Sequence, residues 1–326
     1  MNALVTGASG FIGRRLAAEL AARGHDVVGL VRRTSRTAGL DGKGVRLVVG
    51  DLQDPGSLEA AVAGRDRVFH LAAVVQAARS ASFERCNVEG TRHLLEACLL
   101  FAPSLERFVF VSSIAAAGPS GPDRPRAESD EPRPVTDYGR SKLRAERLVL
   151  DVADRMPVTI VRPPNVIGPG SKELERAVAI LRKRIVPAVG DSRPRTSLID
   201  VDDLVEALIL VAEDVRSVGQ TYFVTDGHSY AWPEITAALA AESGVGRMRV
   251  TVPQGAQMAA AALAEAAARL TGKPPALTRD IVRAGRDRFW IYDGSKIERE
   301  LGFRAHFSMR DSVRRTVRAA AGPGRA

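Results

Sequence analysis

The sequence predicts a doubly wound α/β fold, in which helices cover both faces of a parallel sheet. Two observations lead to that class. Short runs rich in Val, Leu and Ile alternate with longer helical segments through the first half of the chain, which is typical of a parallel sheet buried on both faces. The first apolar run is followed directly by three glycines at three-residue spacing, Gly7, Gly10 and Gly13, which indicate a strand, a tight turn and a helix.

This glycine segment is the first element of the predicted sheet. Gly7 is expected to turn the chain sharply, Gly10 to let the backbone approach a pyrophosphate, and Gly13 to allow close packing of the helix on the strand. Amide groups at the helix start would then face the anion. The spacing differs from the commoner Gly-x-Gly-x-x-Gly fingerprint and lacks the Gly-Lys-Ser/Thr ending of a P-loop, so a simple turn remains the alternative from this segment alone.

The following segments continue the alternation of strands and helices. Further strands are predicted at residues 26–31, 45–50, 67–71, 107–112 and 157–162, and helices at residues 10–23, after Pro55, and at residues 83–101 and 137–152. Prolines and glycines crowd residues 163–170, which marks a change of organisation. A helix at residues 198–213 and a strand at residues 221–226 then return to the sheet.

Two domains are predicted from this pattern and from the length of 326 residues. A dinucleotide-binding domain comprises residues 1–165 and about 197–226. A smaller C-terminal substrate-binding lobe comprises residues 166–196 and 227–326. Within that lobe, residues 256–270 form an alanine-rich helix that is either buried, lines a lipophilic pocket or contacts a membrane surface, and residues 273–277 form a loop that could cover the site.

Composition and charge favour a globular protein with a small-molecule partner. The hydrophobic and charged fractions are 45% and 26%, as in soluble domains. No apolar run reaches the roughly 18 residues that span a bilayer, and only Met1 and Asn2 precede the first strand, so we expect a cytoplasmic protein. The net charge of +9 comes without a zinc pattern or an aromatic RNA-binding motif, which favours a solvated basic surface over a nucleic-acid partner.

The two cysteines are not expected to form a disulfide. Cys86 and Cys98 lie in one predicted helix, where a rise of about 1.5 Å per residue separates them by roughly 18 Å. That distance is far beyond the reach of a disulfide. Free thiols of a reducing compartment are the simplest interpretation.

Tyr138 and Lys142 are the residues best suited to carry chemistry. A separation of four residues places both side chains on one face of a predicted helix. A phenol with a pKa of about 10 is a poor acid or base at neutral pH, but a lysine ammonium within a few ångströms favours the phenolate and lowers that pKa. An isolated pair of this kind would otherwise be a surface tyrosine and a solvated lysine.

Ser112 and Ser113 follow the predicted strand at residues 107–112, at its carboxyl end. Doubly wound sheets bind their ligands at that end, and a hydroxyl there could hold a carbonyl oxygen beside the tyrosine. Serines after a strand also serve as turn formers or helix caps. The pair therefore gains its significance from its position.

Taken together, these segments resemble the extended short-chain dehydrogenase/reductase family of the NAD-dependent epimerase/dehydratase type. The matching segments, in the order of the family, are Thr6-Gly-Ala-Ser-Gly-Phe-Ile-Gly13, Gly50-Asp-Leu52, His70-Leu-Ala-Ala73, Asn87-Val-Glu-Gly-Thr91, Val111-Ser-Ser113, Tyr138-x-x-x-Lys142 and Arg162-Pro-Pro-Asn-Val-Ile-Gly-Pro-Gly170. They cover the first half of the chain. The resemblance implies a Rossmann domain with a substrate lobe, an NAD(P)-dependent enzyme acting on CH–OH and C=O groups, and a homodimer.

The resemblance also implies a role for each matching residue. Tyr138 would be the general acid in ketone reduction or the base in alcohol oxidation. Lys142 would lower its pKa and bond the nicotinamide ribose, and Ser113, rather than Ser112, would orient the substrate oxygen. The implied cofactor contacts, besides Lys142, are Gly7, Ser9, Gly10, Phe11, Ile12 and Gly13 in the glycine segment, Asp51 and Leu52 beside the adenine, Leu71, Ala72 and Ala73 along the cofactor channel, and Pro163 and Val166 near the nicotinamide. Asn87 is expected to fix local backbone, and no metal ion is expected.

The choice of cofactor is predicted from Arg32 and Arg33, at the end of the second strand. Enzymes that use NAD carry an acidic residue at this place, which bonds the ribose 2′-hydroxyl. Here two guanidinium groups are available instead, and they suit the 2′-phosphate of NADP. NADP(H) is therefore the predicted cofactor, with NAD(H) as the alternative.

The type of reaction is predicted from the residues beside Ser113. Sugar-nucleotide dehydratases carry carboxylates there, whereas this chain has Ile114-Ala-Ala-Ala117, and the resemblance is closer to the hydroxysteroid dehydrogenase and dihydroflavonol reductase branch. An apolar wall that includes Ile114 and Ala115 favours a hydrophobic ketone or alcohol of steroid, lipid or polyketide type as the substrate. The predicted function is hydride transfer between such a substrate and NADP(H).

A sugar-nucleotide epimerase remains the alternative function. Such enzymes need no added carboxylate, and Asn165 and Arg195 are polar residues that could contact a sugar nucleotide. Thr196 nevertheless stands where an arginine for the diphosphate is expected in epimerases. The sequence therefore favours the reductase and leaves the epimerase open.

Overall fold

A computed structural model describes residues 1–40, 42–77, 79–171, 174–175, 177–178, 186–188, 194–244, 249–251, 254–271, 275, 277–279, 282–283 and 289–321. Its strands are β1 Asn2–Thr6, β2 Asp26–Val31, β3 Val45–Val49, β4 Arg67–His70, β5 Arg107–Val111, β6 Val158–Arg162, β7 Asn165–Ile167, β8 Val186–Ala188, β9 Arg195–Asp200, β10 Thr221–Phe223, β11 Ser229–Ala231 and β12 Arg249–Thr251. Part of the predicted loop at residues 273–277 lies outside the described residues.

Seven of these strands form the central sheet, in the order β10-β6-β5-β4-β1-β2-β3. All neighbouring strands in it are parallel, so the predicted doubly wound class is confirmed. The chain moves outward from β1 in one direction through β2 and β3, and in the other through β4, β5 and β6. The carboxyl ends of β1 and β4 therefore open the crevice in which such sheets bind ligands.

Helices cover both faces of this sheet. The helices of the described chain are α1 Phe11–Ala22, α2 Glu59–Val62, α3 Ser80–Phe83, α4 Gly90–Phe101, α5 Ile114–Ala117, α6 Asp137–Leu150, α7 Val201–Glu213, α8 Trp232–Glu242, α9 Gln254–Thr271, α10 Ser295–Leu301 and α11 Met309–Ala321. Leu16 of α1 and Leu208 of α7 belong to one fully buried cluster, and Leu94 of α4 and Val149 of α6 to another. Because each face buries its own apolar layer, the sheet is held from both sides.

Smaller sheets lie outside the central one. Strands β11, β9 and β7 form a three-stranded sheet, and β12 pairs with β8. A third apolar cluster, which includes Ile167, Leu198, Ile235 and Val313, packs with α8 and α11. The division of the chain into a cofactor domain and a substrate lobe stays a prediction.

Two predicted helices differ from the observed ones. Residues 198–200 of the predicted helix 198–213 belong to β9, because the Asp200 carboxylate accepts a hydrogen bond from the Asp202 amide and starts α7 at Val201. The predicted helix 83–101 begins earlier, at Ser80, and contains a π-helical stretch, Glu84–Glu89, before α4. Cys86 and Cys98 are free thiols, as predicted.

Two other predicted elements are shorter in the structure. The helix after Pro55 is limited to a single 3₁₀ turn, Pro55–Ser57, and the four residues of α2. The strand predicted at residues 221–226 ends at Phe223. Among the described helices, none combines the length and the apolar character needed to cross a bilayer.

Candidate functional site

The glycine turn between β1 and α1 leaves no room for side chains at two positions. Gly7 has a φ of +69°, and a Cβ atom there would lie 2.8 Å from the amide nitrogen of Ala72. A Cβ atom at Gly13 would collide with the carbonyl oxygen of Gly7. Both positions therefore require glycine, for the turn and for the close approach of helix to strand that the spacing predicted.

The start of α1 fits a bound anion. A Cβ atom at Gly10 would meet only the Gly7 oxygen, at 3.0 Å, among the described atoms within 4 Å. The first turn of α1 carries no acidic residue, so no carboxylate of that turn competes with a phosphate for the free amides of Phe11 and Ile12. The bare backbone and the helix N-terminus together suit the pyrophosphate of a dinucleotide.

The glycine turn also touches the segment that follows β4. The Ala72 amide donates a hydrogen bond of 3.2 Å to Thr6 Oγ1, and Thr6 Oγ1 lies 2.7 Å from His70 Nδ1. Burial lowers the pKa of His70 to about 3, and the charge of Lys142 acts in the same direction. A neutral His70 thus ties the predicted cofactor channel at Leu71, Ala72 and Ala73 to the glycine turn.

The ends of β2 and β3 hold the residues predicted for the adenosine half of the cofactor. Arg32 and Arg33 are exposed, and the Arg32 amide donates to Ser35 Oγ at 3.0 Å. Asp51 Oδ1 accepts from the Gln53 amide at 3.0 Å, and the carbonyl of Leu52 lies 2.6 Å from His93 Nδ1. The hydrogen bonds of this turn therefore involve the backbone and the Ser35 side chain, and not the guanidinium groups of Arg32 and Arg33.

Ser113 and Tyr138 lie near the N-termini of α5 and α6, two helices that contact one another. Each of these helices begins with an N-cap hydrogen bond. Ser113 Oγ caps α5 by accepting from the Ala115 amide at 3.1 Å, and Thr136 Oγ1 caps α6 by accepting from the Gly139 amide at 3.0 Å. Burial raises the pKa of Tyr138 to about 12, while a hydrogen bond with Ser113 lowers it. The phenol is therefore protonated at neutral pH, and Ser113 lies near enough to act on its pKa.

Gly139 sets the distance between these two helices. A Cβ atom at Gly139 would collide with the carbonyl oxygen of Ala115. We predict that Gly139→Ala forces α5 and α6 apart, destabilises the fold by about 1–3 kcal/mol and lowers kcat by separating Tyr138 from Ser113. Urea unfolding and steady-state kinetics measure both effects. Gly121→Ala is the matched control, because the added Cβ would have no described atom within 4 Å, and an equal loss in both variants would contradict the prediction.

Lys142 lies one helical turn beyond Tyr138 and is 2% exposed. Its ammonium donates a hydrogen bond of 2.7 Å to the Val111 carbonyl and lies 4.1 Å from the centre of the Phe110 ring. Burial lowers the pKa of Lys142 to about 7, and the charge of Glu146 acts in the opposite direction. The ammonium is therefore held under the carboxyl end of β5, next to Ser112 and Ser113.

Sequence reasoning missed the buried ion pair beside Lys142. Arg162, at the end of β6, bonds both carboxylate oxygens of Glu146, with Nε at 2.9 Å and Nη2 at 2.6 Å. Glu146 follows Lys142 by four residues on α6, a spacing that was available in the sequence. Arg162 enters the sequence comparison only as the first residue of a matching segment.

Asn87 fixes backbone, in agreement with the prediction. Its Oδ1 accepts from the Val74 amide at 2.7 Å, and its Nδ2 donates to the Val74 carbonyl at 3.0 Å and to Ser141 Oγ at 2.9 Å. Ser141 belongs to α6, so these bonds hold the segment after β4 against the helix of Tyr138. Val75, which follows Val74, is 61% exposed. It adds apolar surface that the sequence alone did not indicate.

The four predicted substrate residues differ in their surroundings. Ile114 is buried against Phe223 and Tyr292, whereas Ala115 keeps part of its surface exposed. Asn165 Nδ2 donates to Thr196 Oγ1 at 3.3 Å. The Arg195 guanidinium bonds Ser229 Oγ at 3.0 Å and lies 3.5 Å from Glu234. Ala115 and Asn165 are thus open to a ligand, while Ile114 and Arg195 are engaged within the protein.

Pro163 and Val166 are the two residues predicted near the nicotinamide. The Pro163 carbonyl accepts a hydrogen bond from the Ile114 amide at 3.1 Å, and Val166 packs against the first core cluster.

Comparison with known proteins identifies the family. A model described as the NAD dependent epimerase/dehydratase family matches residues 3–224. The chain belongs to this family. It is an extended short-chain dehydrogenase/reductase, and as such an NAD(P)-dependent oxidoreductase with a Rossmann fold.

Several known proteins are similar to this chain over most of its length. A 4-hydroxy-2-methyl-3-oxo-4-farnesyl-3,4-dihydroquinoline-1-oxide ketoreductase of Stigmatella aurantiaca is 31% identical over 314 residues, covering 93% of this chain and 92% of that protein. A putative dihydroflavonol 4-reductase of Synechocystis sp. is 34% identical over 313 residues, covering 91% and 88%. The structure of MoeE5 in complex with UDP-glucuronic acid and NAD matches with a TM-score of 0.80 at 28% identity, covering 98% and 99%.

Proposed function

We propose that the protein is an NADP(H)-dependent oxidoreductase that interconverts a hydrophobic ketone, of steroid, lipid or polyketide type, and its alcohol. One observation carries the proposal: Ser113 and Tyr138 are neighbours, near enough for Ser113 to act on the pKa of the phenol, beside an apolar segment. The segment after Ser113 contains only Ile and Ala, and within it Ala115 is partly exposed, whereas Ile114, Ala116 and Ala117 are buried. Two polar groups that converge in apolar surroundings suit a carbonyl oxygen on an apolar body.

In this proposal Tyr138 acts as the general acid and Ser113 orients the ketone oxygen. The cofactor, when bound, supplies the hydride that the carbonyl carbon accepts. Tyr138 Oη gives its proton to the ketone oxygen, which becomes the alcohol hydroxyl, and the Lys142 ammonium stabilises the phenolate that remains. Because the phenol is protonated at neutral pH, Tyr138 has a proton to give in the reduction.

The names of the relatives support a reductase, and a substrate panel tests the proposal. The Stigmatella aurantiaca relative is named as the ketoreductase of a compound with a farnesyl group, an apolar chain. We therefore expect consumption of NADPH with apolar ketones and little with short polar ones, followed by absorbance. The proposal fails if the protein binds NADPH and reduces no ketone of the panel.

The preference for NADP(H) is the second part of the proposal. The guanidinium groups of Arg32 and Arg33 lie in solvent at the end of β2, where a 2′-phosphate would offer charge-assisted hydrogen bonds. We predict that Arg32→Ala raises the KM for NADPH about ten-fold, because such a bond contributes about 1.5–3 kcal/mol, and leaves the KM for NADH nearly unchanged. Arg46→Ala, which removes another exposed arginine, is the control. Equal effects on the two cofactors would contradict the prediction.

A sugar-nucleotide epimerase is the second candidate function. The similarity to MoeE5, whose structure contains UDP-glucuronic acid, and the exposed amide of Asn165 favour it. The engagement of Arg195 by Ser229 and Glu234 speaks against a free arginine for a diphosphate. Interconversion of a UDP-sugar or GDP-sugar without net consumption of the cofactor, in a protein that reduces no ketone, would favour the epimerase.

The remaining proposals concern partners and location. We propose a homodimer through the outer faces of α3 and α6. A groove of about 430 Å³ lies there, lined by Ser80, Phe83, Asp137 and Arg144 among others. Light scattering, which gives the mass in solution, tests the homodimer. A cytoplasmic location and a peripheral membrane contact through the exposed side of α9, where Leu263 is 72% exposed, are proposals as well. Vesicle cosedimentation tests the second of these.

A further inference from the structure

Three charged side chains are buried together under the carboxyl ends of β5 and β6. Lys142, Glu146 and Arg162 are 2%, 2% and 6% exposed. Buried charges are costly unless they are paired and hydrogen-bonded. Arg162 and Glu146 satisfy one another through two hydrogen bonds, whereas the Lys142 ammonium bonds only a neutral carbonyl, that of Val111, among the described hydrogen bonds.

From this arrangement we infer that Glu146, clamped by Arg162, is a positioning residue that controls both the charge and the place of the Lys142 ammonium. The Glu146 carboxylate supplies the negative charge that favours the ammonium form. The two hydrogen bonds from Arg162 fix that carboxylate in place, so that it does not form an ion pair with Lys142. The ammonium thus stays at the Val111 carbonyl, two residues before Ser113 and one helical turn after Tyr138 on α6.

The other groups around Lys142 leave this task to Glu146. On α6, Tyr138 is a neutral phenol at neutral pH. On β4, His70 is neutral because burial lowers its pKa to about 3. On β5, the Val111 carbonyl and the Phe110 ring offer partial charges only. On β6, Arg162 is a second cation. Among these neighbours Glu146 carries the negative charge, and without it two cations would share a buried site.

Direct titration of the lysine tests the inference without any substrate. The chain has six lysines, Lys43, Lys142, Lys172, Lys183, Lys273 and Lys296. In the full-length protein labelled with ¹³C at the lysine ε-carbon, each gives one signal, and Lys142→Arg assigns that of Lys142. We expect Glu146→Gln to lower the pKa of Lys142 by about one unit, since the charge of Glu146 favours the ammonium form and a nearby opposite charge shifts a pKa by about 1–3 units.

Variants at Arg162 should shift the pKa of Lys142 in the opposite direction. Arg162→Gln is expected to raise the pKa of Lys142 by about one unit, because a cation is removed and the carboxylate is released toward the ammonium. The double variant Glu146→Gln/Arg162→Gln, which removes both charges, should return the pKa close to that of the parent protein. Glu84→Gln is the control. It removes an exposed ion pair between Glu84 and Arg144, a residue on the same helix as Lys142, and should leave the pKa of Lys142 unchanged.

The activity of Arg162→Gln separates positioning from charge. The ammonium is then fully protonated but drawn to Glu146, so kcat of NADPH-dependent reduction should fall about ten-fold, as misplacement by about 1 Å can cost more than that. This arm rests on the proposed function, whereas the NMR arm does not. An unchanged pKa of Lys142 in folded Glu146→Gln and Arg162→Gln, or shifts of the same sign in both, would overturn the inference. So would a raised pKa in Arg162→Gln with undiminished kcat.

Discussion

Replacing Tyr138 with phenylalanine is expected to reduce kcat for NADPH-dependent ketone reduction by about 10³- to 10⁴-fold, at the upper end of what a general acid contributes. The phenol is the group that gives its proton to the ketone oxygen in the proposed reaction, and phenylalanine has none to give. The ring itself packs 6.2 Å from that of Phe83, a contact that phenylalanine preserves. The affinity for NADPH should therefore change less than two-fold, which fluorescence titration measures.

The control for this variant is Tyr230→Phe. Tyr230 lies on β11 of the three-stranded sheet, and its hydroxyl donates a part-buried hydrogen bond of 2.8 Å to Asp226. Its removal therefore costs one hydrogen bond without touching Ser113 or Lys142. We expect a small loss of stability and an unchanged kcat. If Tyr138→Phe retains more than a tenth of the activity, the proton comes from another donor and the role assigned to Tyr138 is wrong.

The parts of the site that sequence reasoning anticipated depend on local chain geometry. Gly7 and Gly13 are required by a turn and a helix start within ten residues, and their spacing alone predicts why a side chain does not fit. Tyr138 and Lys142 share a face because they are four residues apart in a helix. Features of this kind are visible in one segment of sequence.

The parts that were missed depend on contacts between distant segments. Arg162 reaches Glu146 across 16 residues, from a strand to a helix, and neither residue alone predicts the pair. Ile114 has the composition of a substrate wall, but it is covered by Tyr292, whose hydroxyl donates to the Gly118 carbonyl 174 residues away. Residues 198–200, the last three of β9, are strand and not the predicted helix, because the pairing of β9 with β7 and β11 outweighs their helical pattern.

Lys142→Met gives the second large expected effect, because activity and stability should move in opposite directions. Methionine cannot hold a phenolate or a ribose hydroxyl, so kcat should fall at least about 10²-fold. Burial lowers the pKa of Lys142 from 10.5 to about 7, which means that the folded state disfavours the charged ammonium. Removing that ammonium should raise the free energy of unfolding by about 3 kcal/mol at pH 7, because a shift of about 3.5 pKa units corresponds to roughly 4 kcal/mol there and the lost bond to Val111 offsets about 1 kcal/mol.

The dependence on pH distinguishes this cause from a general improvement in packing. Between pH 7 and 10.5 the unfolded parent chain binds more protons at Lys142 than the folded one, so the stability of the parent rises with pH in that window. The advantage of Lys142→Met should therefore be complete below pH 7 and shrink as the pH rises toward 10. Lys296→Met is the control, because its ammonium is only half-buried and bonds the Gln220 side chain and the Thr221 carbonyl, and its loss should cost stability. Urea unfolding at pH 6, 7 and 9 measures both variants. A gain for Lys142→Met that is equal at all three pH values would mean that packing, and not the buried charge, limits the stability of this site.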